Sequence, residues 1–183
     1  MIHIKNTQRA FTIIELLVTV AVLAVLVGIA IPSFSTFIAN TRASTLGNDA
    51  FVALNLARSE AFKSGGRVSR CVGSKGAGCA GSDWRNGWII FTDDAASDTA
   101  VPVVGTVIRQ WDQAPSGAQI AVTKAGVALT YIRFTGQGML ARSPADSDPV
   151  AIDIYQSGCQ GNARRTLQIG IAGRVSQASA ACP

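Results

Sequence analysis

Phe11-Thr12-Ile13-Ile14-Glu15-Leu16-Leu17-Val18-Thr19-Val20 runs directly into Ala21-Val22-Leu23-Ala24-Val25-Leu26-Val27-Gly28-Ile29-Ala30-Ile31, and Pro32 follows. Residues 11–31, wound as a helix, cover roughly 30 Å, the thickness of a bilayer's hydrocarbon core. The ten residues before them carry Lys5 and Arg9 and no acid. That basic flank holds its end of the span in the cytoplasm and sends the bulk of the chain to the far side. Three fates are open to such a segment. It can be a secretory signal cut after the small-x-small site Gly28-Ile29-Ala30, or an uncleaved anchor. It can also follow a short leader removed at the Ala10–Phe11 boundary, so that the span is kept. Glu15 separates them. A carboxylate in an apolar run opposes insertion by up to ~3 kcal/mol at mid-membrane, less near the interface, and so needs a task. Neither of the first two fates supplies one.

Working outward, helical periodicity resumes after Pro32. Phe34, Phe37, Ile38, Leu46, Ala50, Leu54, Ala57 and Ala61 recur mostly at three- and four-residue steps, between Asn40, Arg42, Asn48, Arg58 and Lys63. That is an amphipathic helix with one apolar face, ended by Ser64-Gly65-Gly66. Residues 11–63 as one helix would be roughly 80 Å long, weakened near Gly28 and Pro32. Beyond Gly66 the period changes to short β-prone runs: 67–72, 84–92, 101–111, 118–123, 127–134, 150–155, 166–171 and 173–176. Turn clusters separate them, such as Ala114-Pro115-Ser116-Gly117 and Lys124-Ala125-Gly126. The expected class is α+β, with antiparallel sheet packed on the helix. The expected division is a leader at 1–10, a membrane and assembly helix at 11–31, its amphipathic half at 32–64 and a β-rich domain at 65–183. Trp84 and Trp88, four apart, are expected on one face of a regular strand, as core or edge packing.

Charge and composition exclude several function classes. The formal charge is +5, and without Lys5 and Arg9 it falls to 14 basic against 11 acidic side chains, +3. That is too mild for nucleic-acid binding without a local patch. His3 is the one histidine in the sequence and falls in the leader. This removes Ser–His–Asp and Cys–His pairs and histidine metal sites from the mature chain. Asp93-Asp94 and Asp146-Ser147-Asp148 lack the glycine and closing glutamate of a calcium loop and are expected in solvated loops. No phosphate loop or dinucleotide fingerprint occurs. The reading is no enzyme, no metal and no cofactor. Four cysteines, Cys71, Cys79, Cys159 and Cys182, fit two disulfides in an oxidising compartment. Their spacing does not match a structural zinc site. Three pairings are open; the sequential one, Cys71–Cys79 with Cys159–Cys182, is favoured because each bridge closes a turn-rich loop.

The segment Arg9-Ala10-Phe11-Thr12-Ile13-Ile14-Glu15-Leu16-Leu17 resembles the leader boundary of type IV prepilins. The resemblance implies cutting by prepilin peptidase between Ala10 and Phe11, methylation of the new Phe11 amine, and pairing of Glu15 with a neighbouring subunit's chain end during assembly. The family usually has glycine before the cut, where this chain has Ala10. It also implies that the helix can unwind locally near Gly28 and Pro32 within a filament. Ala53-Leu54-Asn55-Leu56-Ala57-Arg58-Ser59-Glu60-Ala61, the pair Cys71…Cys79, and Trp84-Arg85-Asn86-Gly87-Trp88-Ile89-Ile90-Phe91-Thr92-Asp93 resemble the GspH/FimT/FimU group of minor pilins and pseudopilins. The late Gly173-Arg174-Val175 and near-terminal Cys182 also fit. What this implies is a type IV pilin fold, a single pass through the bacterial inner membrane with a periplasmic domain, and other major and minor pilins or pseudopilins as partners. The machine is a type IV pilus, whose assembly the chain helps to prime near the tip, or a type II secretion system. The FimT branch binds DNA in natural transformation through a C-terminal Gly-Arg-x-Arg motif. Here the second arginine is replaced by Ser176, so Arg164, Arg165 and Arg174 are the candidate DNA contacts.

Overall fold

The computed structural model describes residues 11–183. Lys5, Arg9, His3 and the Ala10 side of the expected cleavage boundary lie outside the described residues. One helix, α1, runs unbroken over Ile13–Ser64, 52 residues, through Gly28 and Pro32. Thr12 caps its start, its side chain accepting from the Glu15 N–H, which satisfies one of the first-turn donors. Gly65 ends it in the left-handed conformation (φ 65°), where glycine carries no steric penalty.

Ten strands and one short 3-10 turn follow: β1 (Val68–Ser74), β2 (Gly78–Cys79), η1 (Trp84–Asn86), β3 (Trp88–Asp93), β4 (Val104–Trp111), β5 (Ala118–Lys124), β6 (Val127–Ala128), β7 (Tyr131–Phe134), β8 (Val150–Gln156), β9 (Arg164–Ile169) and β10 (Val175–Ala180). They form two five-stranded sheets. The first has the order β2-β1-β3-β4, with β7 also on β1; the second has the order β10-β9-β8-β5-β6. All pairings are antiparallel. The run read as one strand over 84–92 is divided at Gly87. The run 127–134 breaks at Leu129 and Thr130.

Both sheets bury their inner faces against α1. The helix side of that core is Ala39, Ala43, Leu46, Ala50, Ala53, Leu54, Ala57 and Ala61. Alanine lets the helix axis approach the sheets closely while Leu46 and Leu54 supply bulk. Gly47 allows the tightest approach: a Cβ there would sit 2.5 Å from Arg165 Cγ, so the helix gives up propensity at that point to seat the arginine stem. Phe34 and Phe37, expected on this buried face, are 65% and 64% exposed. The β-domain does not reach that low. Its lowest contact is the Cys159–Cys182 loop, where Ala39 packs on Cys159 and Gln160 N–H donates to Asn40 Oδ1. Disulfides join Cys71 to Cys79 and Cys159 to Cys182. The first ties β2 to β1, and the second ties the chain end to the β8–β9 loop.

Candidate functional site

Among the described residues most of the exposed large apolar side chains lie on α1. Phe11 is 78% exposed, and the side chains described over residues 11–31 are all exposed. By length and composition this part of the helix can cross a membrane. Glu15 is its single charged side chain, and among the described residues it has no ion-pair partner. The outer face of α1 then keeps a regular pattern past the span. Phe34, Ile38, Thr41, Thr45, Asn48, Val52, Asn55, Ser59 and Phe62 follow one another at alternating steps of four and three. Such residues form one seam along a helix, the repeat by which helices pack side by side. It lies opposite the buried alanine face, carries no charge, and continues downward through Ile31, Val27, Ala24, Val20 and Leu17.

Inside the β-domain the structure places two arginines that sequence reading did not single out. Arg70 on β1 is fully buried. Its guanidinium lies 4.8 Å from the centroid of the Trp84 ring and 4.3 Å from that of Trp88. Trp84 thus shares a side with Trp88 although it stands on η1 rather than on the strand. The three guanidinium nitrogens have no hydrogen-bond partner among the described residues, and burial pulls the group down to about 9. Two indole faces offset part of the desolvation cost, on the order of 2 kcal/mol for a buried contact. Arg70→Met is therefore expected to raise the unfolding free energy at pH 7 by roughly 1–3 kcal/mol. Between pH 9 and the ordinary arginine range the unfolded chain holds the extra proton, so the wild type gains stability with pH at up to ~1.4 kcal/mol per unit. The advantage of the variant should shrink above pH 9. Melting curves at pH 7 and 10 check this, and a lower Tm for the variant at pH 7 sinks it.

Asp93, expected in a solvated loop, instead ends β3 with its side chain fully buried against Arg133 of β7, Oδ2 to Nε at 2.8 Å. The same oxygen accepts from Ser69 Oγ at 2.5 Å, and Oδ1 accepts from the N–H groups of Ala95 and Val103 at 3.0 Å each. Arg133 also donates to the carbonyls of Ser97 and Asp98. Burial alone would push the Asp93 carboxyl up; these bonds outweigh it and hold the carboxyl below its ordinary value. The cluster fastens the 94–103 loop to the first sheet. Asp146 ion-pairs with Lys124. Among the described residues no three histidine, cysteine or acidic side chains gather as a metal site.

The three basic candidates fall on the β9–β10 hairpin but not in one patch. Arg164 and Arg165 begin β9 rather than preceding it. Neighbouring residues of a strand face opposite ways. Arg164 binds Asp153 through two bonds of 2.5 Å. Arg165 lies against Gly47 on the helix side, bonded to Ser44 Oγ at 2.9 Å and also to Ser179. Arg174 is exposed at the opposite, turn end of the hairpin, about 20 Å from Arg164 by strand length.

Comparison with known proteins agrees with this architecture. Residues 47–173 match the model of the type II transport protein GspH family, and residues 5–31 match the prokaryotic N-terminal methylation motif. No curated protein matches the chain. Two crystal forms of the type IV minor pilin FimU of Pseudomonas aeruginosa PAO1 are similar at 22% identity and TM-score 0.50. They cover 75% of this chain and 86% or 90% of theirs. The long N-terminal helix packed on antiparallel sheet is thus the pilin fold. With the family model spanning more than half its length and the methylation motif preceding it, this chain belongs to the GspH family of pilin-like minor pilins and pseudopilins.

Proposed function

We propose that the chain is a minor pilin of a type IV pilus, a structural subunit and not a catalyst, which helps to prime pilus assembly near the tip. Residues 11–31 anchor it in the inner membrane before assembly, with the β-domain on the periplasmic side. The observation that carries this reading is the charge-free seam of α1. Along this 52-residue helix the chain's own domain leaves the seam largely exposed from the membrane end to Phe62, touching it at Asn48 through Gln177. Solvent exposure of that face costs roughly 25 cal/mol per Å² of apolar surface, which neighbouring subunits' helices would recover. The likeness to a solved minor pilin favours the pilus over the pseudopilus of a type II secretion system. Neighbouring genes for pilus subunits or for a secretion channel discriminate between the two.

Mass spectrometry of filaments sheared from cells tests the reading. The chain should be found in them, beginning at N-methylated Phe11 after removal of residues 1–10 by prepilin peptidase. A mature chain that starts after Ala30, or that keeps Met1, overturns it. DNA binding through Arg164, Arg165 and Arg174 is the alternative activity. Phosphate contacts of this kind give salt-sensitive, sequence-independent binding. A mobility shift at low salt that disappears when the three are replaced would support it.

A further inference from the structure

We propose that the free edge of β10 receives an extended strand from a different pilin-type subunit of the same filament, paired main chain to main chain. This rests on the filament reading above and adds to it a second contact, made by a sheet edge rather than by the helix seam. β10 ends the second sheet, with β9 on one side and no strand on the other among the described residues. The β9–β10 turn fixes which backbone groups are free. Gly173 N–H donates to the Gly170 carbonyl, and Gly170 N–H donates to the Arg174 carbonyl, so the backbone groups of Gly170 and Arg174 face each other across the hairpin. With the unbroken register from Val175↔Ile169 to Ala180↔Arg164, antiparallel alternation then turns the N–H and C=O groups of Val175, Gln177 and Ser179 outward.

Unpaired edges invite pairing, and folded proteins blunt them with charge, proline, bulges or shortness. The other edges of this protein are blunted. β2 and β6 have two residues each, the four-residue β7 carries Arg133 and is covered by Leu140 and Ala141, and β4 carries Arg109 and two register shifts against β3. β10 has none of these devices: Val175-Ser176-Gln177-Ala178-Ser179-Ala180 is regular, uncharged and free of proline. It is also held rigid. Gln177 donates to Asn48 of α1, Ser179 is bonded to Arg165, and Cys182 just beyond it is tied to Cys159. A preformed strand gives up little entropy on pairing. The exposed Arg174 at its start has no partner among the described residues, so the incoming strand is neutral or acidic there. Self-pairing of two copies at this edge would close a two-fold pair. That satisfies the edge but cannot extend head to tail along a filament, so the occupant is a strand of another subunit.

The test uses the full chain in piliated cells. A photoreactive amino acid is placed at Ala178, beside the free edge, or at Val52 on the helix seam, and adducts are identified by mass spectrometry. The Ala178 probe should capture the β-domain of another pilin-type subunit. Gln177→Pro removes an outward N–H and no bond to β9, and should reduce that adduct at least tenfold. Gln177→Ala keeps the main chain, loses only the side-chain bond to Asn48, and should retain most of the adduct. Ser176→Lys, on an exposed position, should reduce it several-fold and covers the case in which the proline variant fails to fold. No adduct at Ala178, an adduct only with the chain's own copy, or an adduct indifferent to both Gln177→Pro and Ser176→Lys overturns the proposal. If the Val52 probe still captures neighbouring subunits, the filament reading stands alone. If it too captures none, that reading falls with it.

Discussion

Asp93→Ala is expected to lower the unfolding free energy by about 3–5 kcal/mol, the range for removing one partner of a buried ion pair. The size follows from what stays behind. Arg133 would keep its charge in the first sheet with its side chain 1% exposed, and one of its nitrogens already lacks a partner. Ser69 and the N–H groups of Ala95 and Val103 would lose their acceptor at the same time. Urea unfolding of the full chain in detergent, followed by near-ultraviolet circular dichroism, measures the loss. Replacing both partners, Asp93→Ala with Arg133→Met, should recover part of it, because no isolated charge then remains buried. A double variant as unstable as the single one would mean that loop packing, not the stranded charge, sets the cost. The same site predicts the acid response. A carboxyl held below its ordinary value in the folded state contributes stability that is fully present above about pH 4, the unfolded aspartate range. That contribution is lost as pH falls through the lower folded value.

Glu15→Gln is the second large effect, and it falls on assembly rather than on folding. Incorporation into sheared filaments should drop at least tenfold, with membrane level and both disulfides unchanged. Among the described residues the Glu15 side chain has no hydrogen-bond or ion-pair partner, and its N–H is capped by Thr12. Glutamine therefore costs the fold only the carboxylate's favourable place in the first helical turn, up to about 1 kcal/mol at an exposed site. In the assembled state we propose for it the one partner that the prepilin resemblance implies, the Phe11 amine of a neighbour. Glutamine fits the same space and leaves that ammonium unpaired in apolar surroundings, a penalty of several kcal/mol. Immunoblots of sheared filaments against membrane fractions read the ratio. Equal incorporation of the glutamine variant would remove the charge pair from the assembly scheme.

The helix was legible because its signals are local. A 21-residue apolar run, an amphipathic continuation and a Ser-Gly-Gly stop each act within a few turns of the chain. Most strands lie within a few residues of the β-prone runs for the same reason, while the two-residue β2 lies in none of them. The break at Gly87 and the interruption at Leu129 and Thr130 are not legible, because β-propensity in those runs is continuous and turn geometry alone divides them. The division into two sheets is not legible in the sequence because sheet membership is a long-range matter: β5 pairs with β8, far along the chain, and no local pattern encodes that choice.

The sequence by itself determined the rod, its lone Glu15 and the class of the domain that follows. A carboxylate inside an apolar run, and alternation after a helix stop, have few physical outcomes. Only the tertiary structure decided the fate of the polar side chains within the β-domain. Asp93 looks the same in a sequence whether it meets water or Arg133, and Arg164 and Arg165 look alike although one faces Asp153 and the other faces α1. Those outcomes depend on which strands lie side by side and on where the helix covers them. That arrangement is set by the packing of two sheets around one alanine-lined face, a property of the whole chain rather than of any stretch of it.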